Sequence, residues 1–354
     1  MRILERYIVG KVLLHTAIVL MVLLGIYFFI TIVGEINRVG RGDYTLMAAA
    51  GYSAMLVPRQ IHELFPMAAL VGTMLGLGSL ANTCELTVMR AAGLSIRRIA
   101  FTVMKAGLLM VVLVSLNSEF VAPAMEKQAH FNRMEATEQG ISFRTGSGLW
   151  VRDGDSYITM GALLPDGEAR ELTRYLTEGH RVRRISTAHS GRFGEEGWRV
   201  TGLTHTDFMA EGVSVTNTDS ALWRTSLTPD IIASASLSAD RLSVLELMGF
   251  IVYLRENGLA SERYEVAMWT RMFLPLATGG MILLAIPFVF GSNRGRGTEQ
   301  RVLLGVLVGI GFYLFNGVFS QLGLLYHLPP LISAVVPTVV VYSLSLYLMR
   351  RILL

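Results

Sequence analysis

Few residues in this chain are placed to do covalent chemistry. The only Gly-Lys pair, Gly10-Lys11, is followed by Val12 where a nucleotide-binding loop needs a magnesium-binding Ser or Thr, and no glycine stands at the required earlier position. No Gly-x-Ser-x-Gly elbow occurs, so a serine hydrolase of that type has no support. His62-Glu63 opens like a zinc-protease helix, but Pro66 occupies the place of the second histidine, and a polar helix end is the plainer reading. Seven scattered histidines and one cysteine, Cys84, make no ligand cluster and no intrachain disulfide. Catalysis within this chain is not expected.

What remains is recognition of charge and shape. Arg38, Arg41, Arg59, His130, Arg133 and Arg271 each stand beside the end of a long apolar run. Arginine binds phosphates and carboxylates through a planar fork, where lysine offers a point charge, and Lys11, Lys105 and Lys127 are the only lysines. A ring that recognises an anionic amphiphile is one reading; long side chains reaching to lipid headgroups is the other. A second constellation is Glu85-Leu86-Thr87-Val88-Met89-Arg90-Ala91-Ala92-Gly93, a short helix-forming stretch closed by glycine. Glu85 near its start and Arg90 near its end suit the helix dipole. Such a stub either lies on a bilayer surface or presents a knob to a partner.

The elements that carry these residues follow from where the apolar residues sit. Of the 354 residues 52% are hydrophobic and only 16% charged, and mean hydropathy is +0.49. Soluble domains run nearer 25% charged, so a purely soluble or disordered chain is excluded. Val12 to Gly34 is too long for the core of a signal peptide and reads as a retained transmembrane helix. Phe65 to Ala81 (beginning near Pro58), Ile99 to Phe120, Met272 to Phe290, Val302 to Leu325 and Leu331 to Met349 bring the predicted spans to six. With both ends inside, the short inner segments hold Arg2, Arg6, Lys11, Arg90, Arg97, Arg98, Arg294, Arg296, Arg301, Arg350 and Arg351, whereas the outer short loops hold Arg38, Arg41 and Arg59. That asymmetry predicts cytoplasmic termini. Gly72 and Gly76, and Gly305 and Gly309, have the spacing that lets helices approach closely in lipid, either within the bundle or at a subunit interface.

Residues 122 to 265 differ in kind. Their net charge is −5, against +9 for the rest, and together these give the overall +4. The basic balance therefore belongs to the membrane part and gives no support to nucleic acid. Gly148 to Arg152, Ser156 to Ala162, Glu171 to Thr177, Val182 to Ala188, Trp198 to Phe208, Gly212 to Thr218 and Ala221 to Leu227 read as strands. Asp153-Gly154-Asp155, Pro165-Asp166-Gly167, Glu178-Gly179, Glu196-Gly197 and Glu211-Gly212 supply the turns, as in an antiparallel sandwich or roll. A Ser/Ala-rich linker, Ser234 to Asp240, precedes a predicted helix from Ser243 to Asn257.

The N-terminal Arg6-Tyr7, Val57-Pro58-Arg59 leading into Phe65-Pro66-Met67-Ala68-Ala69-Leu70, Glu85-Leu86 through Met89 to Gly93, Val121-Ala122-Pro123, and Met268-Trp269 to Pro275 are set in this layout. Together they resemble the lipopolysaccharide export permeases, the LptF/LptG family, over essentially the whole chain. The resemblance is densest in the first 125 residues and weakest in the β segment. It implies a polytopic α-helical membrane protein of six transmembrane helices with an inserted periplasmic antiparallel β jelly-roll-like domain, in the inner membrane of a Gram-negative bacterium. The implied division is 1–121 for the first three spans with a cytoplasmic coupling helix near 84–93, 122–265 for the periplasmic domain, and 266–354 for the last three spans.

The same resemblance implies a half-transporter without its own ATPase site. An LptF-like permease would pair with it, a homodimeric cytosolic ATPase, LptB, would bind ATP and Mg, and an LptC-like single-span protein would continue the periplasmic path. No cofactor is implied for this chain. Glu85, Met89, Arg90, Ala91 and Gly93 would contact the ATPase. Lipopolysaccharide would enter between the two permeases through a gate of the first and fifth spans, its phosphates facing Arg38, Arg59, Arg133 and Arg271, with Arg41 and His130 added on position alone. Relatives can carry basic side chains at the positions of Thr31, Asn37 and His130, so this chain departs from them there. Removing acyl chains from a bilayer costs about 0.8 kcal/mol per CH₂, which is why an energy source is required.

Two other classes compete. A secondary transporter places ionisable groups near the midplane on broken helices, whereas these span centres are nearly free of charge and show no inverted repeat. A non-transporting scaffold displaying the β-domain needs only one anchoring span, which leaves six glycine-rich spans without a purpose.

Overall fold

The computed structural model describes residues 2–137, 149–163, 168–178, 181–194, 197–209, 212–225, 227–229, 231–232, 238–291 and 298–353. Arg294, Arg296, most of the Ser/Ala-rich linker and the turn residues 165–167, 179, 196 and 211 lie outside the described residues. The chain divides into two compact units. One comprises Met1–Asn37, Ala50–Ala129 and Glu262–Leu354; the other comprises Arg38–Ala49 and His130–Ser261.

The first unit is helical. Its long helices are α1 (Arg2–Glu35), α3 (Val57–Asn82), α5 (Ile96–Leu116), α8 (Glu262–Phe290), α9 (Thr298–Leu325) and α10 (Pro330–Leu353). Each is long and apolar enough to cross a bilayer, so six spans stand where the hydropathy placed six. Between α3 and α5 lies the stub α4 (Glu85–Ala91), and a short helix, α2 (Leu46–Met55), precedes α3. Pro58 starts α3 where its missing N–H costs nothing, and Ser95 caps α5 by accepting from the Arg98 amide.

The third span departs from expectation. It does not stop near Phe120 but passes through one π-turn, Asn117–Val121, into α6 (Ala122–Ala136). Pro123 cannot donate to the preceding turn of a regular helix. A widened turn immediately before it absorbs the missing bond and lets the helix continue.

At the centre of the bundle is α3, the most buried span at 72%, whereas none of the α1 window and only 11% of that of α9 is buried. Its core side chains Phe65, Leu70, Met74, Leu77 and Leu80 pack against Ile8 and Val12 of α1, Val103 and Ala106 of α5, and Met281, Ile282 and Ala285 of α8. Small residues set the separation. A Cβ at Gly72 would fall within the backbone of Thr16, and one at Gly76 would lie 3.0 Å from the Val12 Cα. A Cβ at Gly309 would lie 2.6 Å from Met67 of α3, and one at Gly305 3.1 Å from Met74. Both glycine pairs therefore serve packing inside the chain.

The second unit is built on one antiparallel sheet. Strands β1 (Leu149–Asp153), β2 (Ser156–Met160), β4 (Glu168–Glu178), β5 (Arg181–Gly194), β6 (Gly197–Met209) and β7 (Gly212–Trp223) follow one another in chain order, and the two-residue β3 (Ala162–Leu163) pairs with β4. The two runs expected at Gly212 to Thr218 and Ala221 to Leu227 are one strand. β7 is exposed along nearly its whole length, so its Asn217-Thr218-Asp219-Ser220 stretch had no buried face to mark it as strand. The sheet buries Val151, Ile158, Met160, Leu172, Val200 and Leu203 with Trp198, whose indole donates to the Leu227 carbonyl at 2.7 Å.

Helix α7 (Val244–Glu256) starts with a reciprocal capping box between Ser243 and Glu246. It is tied to the β1–β2 hairpin by the Gly154 amide donating to Asn257 Oδ1 at 3.0 Å and by the Tyr253 hydroxyl donating to the Arg152 carbonyl at 2.5 Å. Burial, and then the nearby Asp153 carboxylate, push the Tyr253 phenol up to about 12, so it remains a donor across the neutral range.

The tight α1–α3 contact makes Gly72 intolerant of any side chain. Gly72→Val is expected to lower thermal stability in detergent by about 3 kcal/mol, whereas Gly25→Ala, with open space around it, is expected to be neutral. A melting curve for Gly72→Val matching the parent would refute the contact.

Candidate functional site

The basic residues singled out by sequence fall into two sets, one in each compact unit. In the helical unit Arg59, on the first turn of α3, donates from Nε to Glu63 Oε1 at 2.9 Å and from Nη1 to Glu126 Oε1 at 2.7 Å. The Arg59 side chain is 13% exposed and that of Glu126 5%. The π-turn closes over the same corner: Asn117 Nδ2 donates to the Pro58 carbonyl at 2.6 Å. Arg271 of α8 shares this electrostatic environment with Arg59, Glu119, Glu126 and Glu63. Arg59, expected to face lipid phosphate, is thus a buried clamp between α3 and α6, held by carboxylates of its own chain.

His62, one turn further along α3, is 8% exposed, and neither ring nitrogen meets a partner among the described residues. It borders a small cavity of about 10 Å³ with Val111 and Ser115 of α5 and Pro275 and Thr278 of α8. Pro66 follows four residues later and leaves the His62 carbonyl without its helical donor.

In the other unit His130 organises a second set. Arg133 Nη2 lies 3.1 Å from His130 Nδ1, and Arg241 Nη1 lies 2.8 Å from His130 Nε2. In either neutral tautomer the imidazole accepts from only one of the two guanidinium groups, so the cluster gathers three basic side chains around one ring, a composition suited to an anion. Arg241 escaped the sequence reading because it follows the Ser/Ala linker, far from any apolar run; its only local signal is Asp240-Arg241 just before the Ser243 cap. Arg38 and Arg41 are exposed on the turn after α1, where the Arg41 amide donates to the Arg38 carbonyl at 3.2 Å. Thr31 donates to the Tyr27 carbonyl within α1, and Asn37 lies in the single 3-10 turn that follows.

The stub α4 has two different faces. Leu86 and Met89 are buried in the helical core, so Met89 anchors the stub and does not present a contact. Thr87, Val88, Arg90 and Ala91 point outward, with Val88 67% exposed. Glu85 is held by two hydroxyls, accepting from Thr83 Oγ1 at 2.9 Å and hydrogen-bonding the Tyr7 phenol of α1. Gly93 closes the stub at φ +92, with the Leu94 amide donating back to the Met89 carbonyl at 3.0 Å. The opposite end begins at Cys84, an exposed residue with φ 59 and the only non-glycine left-handed residue among the described helix ends of this corner.

The family model for "Lipopolysaccharide export system permease LptF/LptG" matches residues 6–351. The Escherichia coli (strain K12) protein "Lipopolysaccharide export system permease protein LptG" is 33% identical over 354 residues, covering 99% of this chain and 98% of the relative. The Haemophilus influenzae protein of the same description is 31% identical over 351 residues, covering 98% of each. The likeness first visible in the N-terminal and inner-loop motifs extends through every element described above.

The buried clamp can be tested directly. Glu126→Gln leaves Arg59 with one carboxylate and is expected to lower stability in detergent by about 3–5 kcal/mol, the usual effect of breaking a buried pair. The double replacement Arg59→Met with Glu126→Leu is expected to recover most of that loss. Equal melting temperatures for Glu126→Gln and the parent would show that the pair does not hold the corner.

Proposed function

The chain belongs to the lipopolysaccharide export permease LptF/LptG family, and we propose on that premise that it is one permease half of an exporter that lifts lipopolysaccharide out of the inner membrane. The observation that carries this is the family match along residues 6–351, which takes in the whole β-insert and all but the terminal residues of the helical unit. Its relatives carry the LptG name, so the second half is an LptF-type permease. The arginine asymmetry of the short loops supports an orientation with both termini in the cytoplasm and the β-unit in the periplasm.

The division of burial supports the mechanism. Spans α1 and α9 expose apolar faces along their length, with Met21 at 73%, Phe29 at 68% and Leu303 at 61%. Such faces pack equally well against lipid tails or against a second permease. A second permease facing them encloses a cavity whose apolar walls take acyl chains, and α1 and α9 are the moving edges of its gate. The guanidinium groups of Arg133 and Arg241 around His130 meet the lipid phosphates, and Arg38 and Arg41, on the turn that follows α1, are further candidates. In the helical unit Arg59 fixes the corner at which α3 and the π-turn meet.

Energy enters at α4. An ATPase dimer that binds ATP and Mg closes on the outward face formed by Val88, Arg90 and Ala91. Leu86 and Met89, rooted in the core, carry that displacement into α3 and α5. The cavity narrows, and the lipid moves toward the β-unit and an LptC-like partner. Without the ATPase, the cost of exposing long acyl chains, about 0.8 kcal/mol per CH₂, blocks the step.

Two experiments test this reading. In Glu85→Arg and in Val88→Asp, co-purification of the cytosolic ATPase is expected to fall at least tenfold; stoichiometric retention in both variants would remove α4 as the coupling element. Arg241→Gln and Arg133→Glu are each expected to weaken photo-crosslinking to lipopolysaccharide by about tenfold, since a charge-assisted bond contributes about 1.5–3 kcal/mol. Unchanged crosslinking in both would separate the His130 cluster from the lipid path. Reconstitution with an LptF-type permease and the ATPase, read as ATP-dependent release of lipopolysaccharide from vesicles, tests the function as a whole.

A further inference from the structure

The cytoplasmic ends of α5 and α10 enclose a groove that the export reading does not use. It has a volume of about 250 Å³ and is lined by Ile96, Arg97, Ala100, Phe101, Met104 and Met349. Five of these six side chains are apolar, and the sixth is a guanidinium at the mouth. The cations around it form a set. Lys105 Nζ lies 4.7 Å from the centre of the Phe101 ring, and the Arg351 guanidinium lies 5.2 Å from that of Tyr347. Arg97, Lys105, Arg350 and Arg351 are all exposed.

Neither α5 nor α10 contains a single Asp or Glu. An acid that interacts with α5 is Glu5 of α1. It accepts from Arg98 at 3.0 Å, on the α1 side of α5, and reaches Lys105 only through its field. Positive charge therefore gathers at one end of an apolar slot, with aromatic rings between charge and slot. That combination has a definite complement: an anionic headgroup attached to a hydrocarbon chain. A free phosphate matches the charge and leaves the slot unfilled. A zwitterionic lipid fills the slot and brings its own cation to the arginines.

We propose that the groove between the inner ends of α5 and α10 binds an anionic glycerophospholipid of the cytoplasmic leaflet. Its phosphate is held by Arg97, Arg350 and Arg351, and one acyl chain runs along Ala100, Phe101 and Met104. The leaflet rests on the orientation given under the proposed function; the groove and its ligand chemistry do not. Basic pockets between helices on the cytoplasmic side are suited to such headgroups, each cation near the surface contributing about fivefold in affinity. The site lies just beyond the Gly93–Ser95 corner that joins α4 to α5, so the lipid braces the root of the stub.

Native mass spectrometry of the complete permease–ATPase complex in detergent tests this, with phosphatidylglycerol and phosphatidylcholine titrated separately. Phosphatidylglycerol is expected to give a saturable bound species, retained at least tenfold more strongly than phosphatidylcholine. Arg97→Gln with Arg351→Gln is expected to weaken it about 25-fold, and Ala100→Phe, which fills the slot and keeps every charge, is expected to weaken it as well. Arg6→Gln, an exposed cation on α1 at the same membrane face, is expected to leave it unchanged. Equal retention of the two lipids would overturn the proposal. So would an equal loss in Arg6→Gln, the mark of a diffuse surface field, full displacement by inorganic phosphate, or insensitivity to both groove variants. Because binding is read in detergent, either outcome leaves lipopolysaccharide release an independent question.

Discussion

The close approach of α1 and α9 to α3 is the constraint from which the rest of the helical unit follows. Lipid tails are as apolar as leucine, so burial alone does not drive helices together in a bilayer; close packing must. Gly72 and Gly76 let the backbone of α1 lie directly on α3, and Gly305 and Gly309 let α9 close over Met67 and Met74. With the separations set by absent side chains, the larger residues of α3 are free to fill the interior toward α5 and α8. The outer surfaces of α1 and α9 are then left with their apolar residues facing away from their own chain.

Electrostatics divides the work in a corresponding way. A charge in a dry corner must be paired, and Arg59 is paired twice, by Glu63 and Glu126. It stabilises the junction of two helices where one of them has a π-turn. Arg133 and Arg241 are arranged differently, across an imidazole that spaces their forks. Residue type is the same in the two places, and the neighbours differ. The buried ring of His62, whose nitrogens meet no partner among the described residues, fits neither pattern.

Much of this was legible in the chain itself. Six apolar runs of sufficient length can do little else in water, so the spans were readable to within a few residues at most ends. The β-strands were readable because glycine and acidic turn residues punctuate them. The exceptions share a cause: local signals that point one way while tertiary context decides another. Pro123 reads as the end of a helix, yet a single π-turn carries the third span past it. β7 lacks alternation because both of its faces are exposed. Met89 belongs to the motif that carries the family resemblance, and its side chain turns inward. Arg59 was picked out by type and position, while Glu126, which fixes its role, lies 67 residues away in a segment without strong pattern.

Cys84 sits at the hinge between α3 and α4, exposed and in a left-handed conformation. It is also the only cysteine in the sequence. The protein therefore carries one native thiol at the junction between the stub and the span before it. A spin label or fluorophore attached there would read the environment of that junction against a silent background, with no residue of the chain having to be changed.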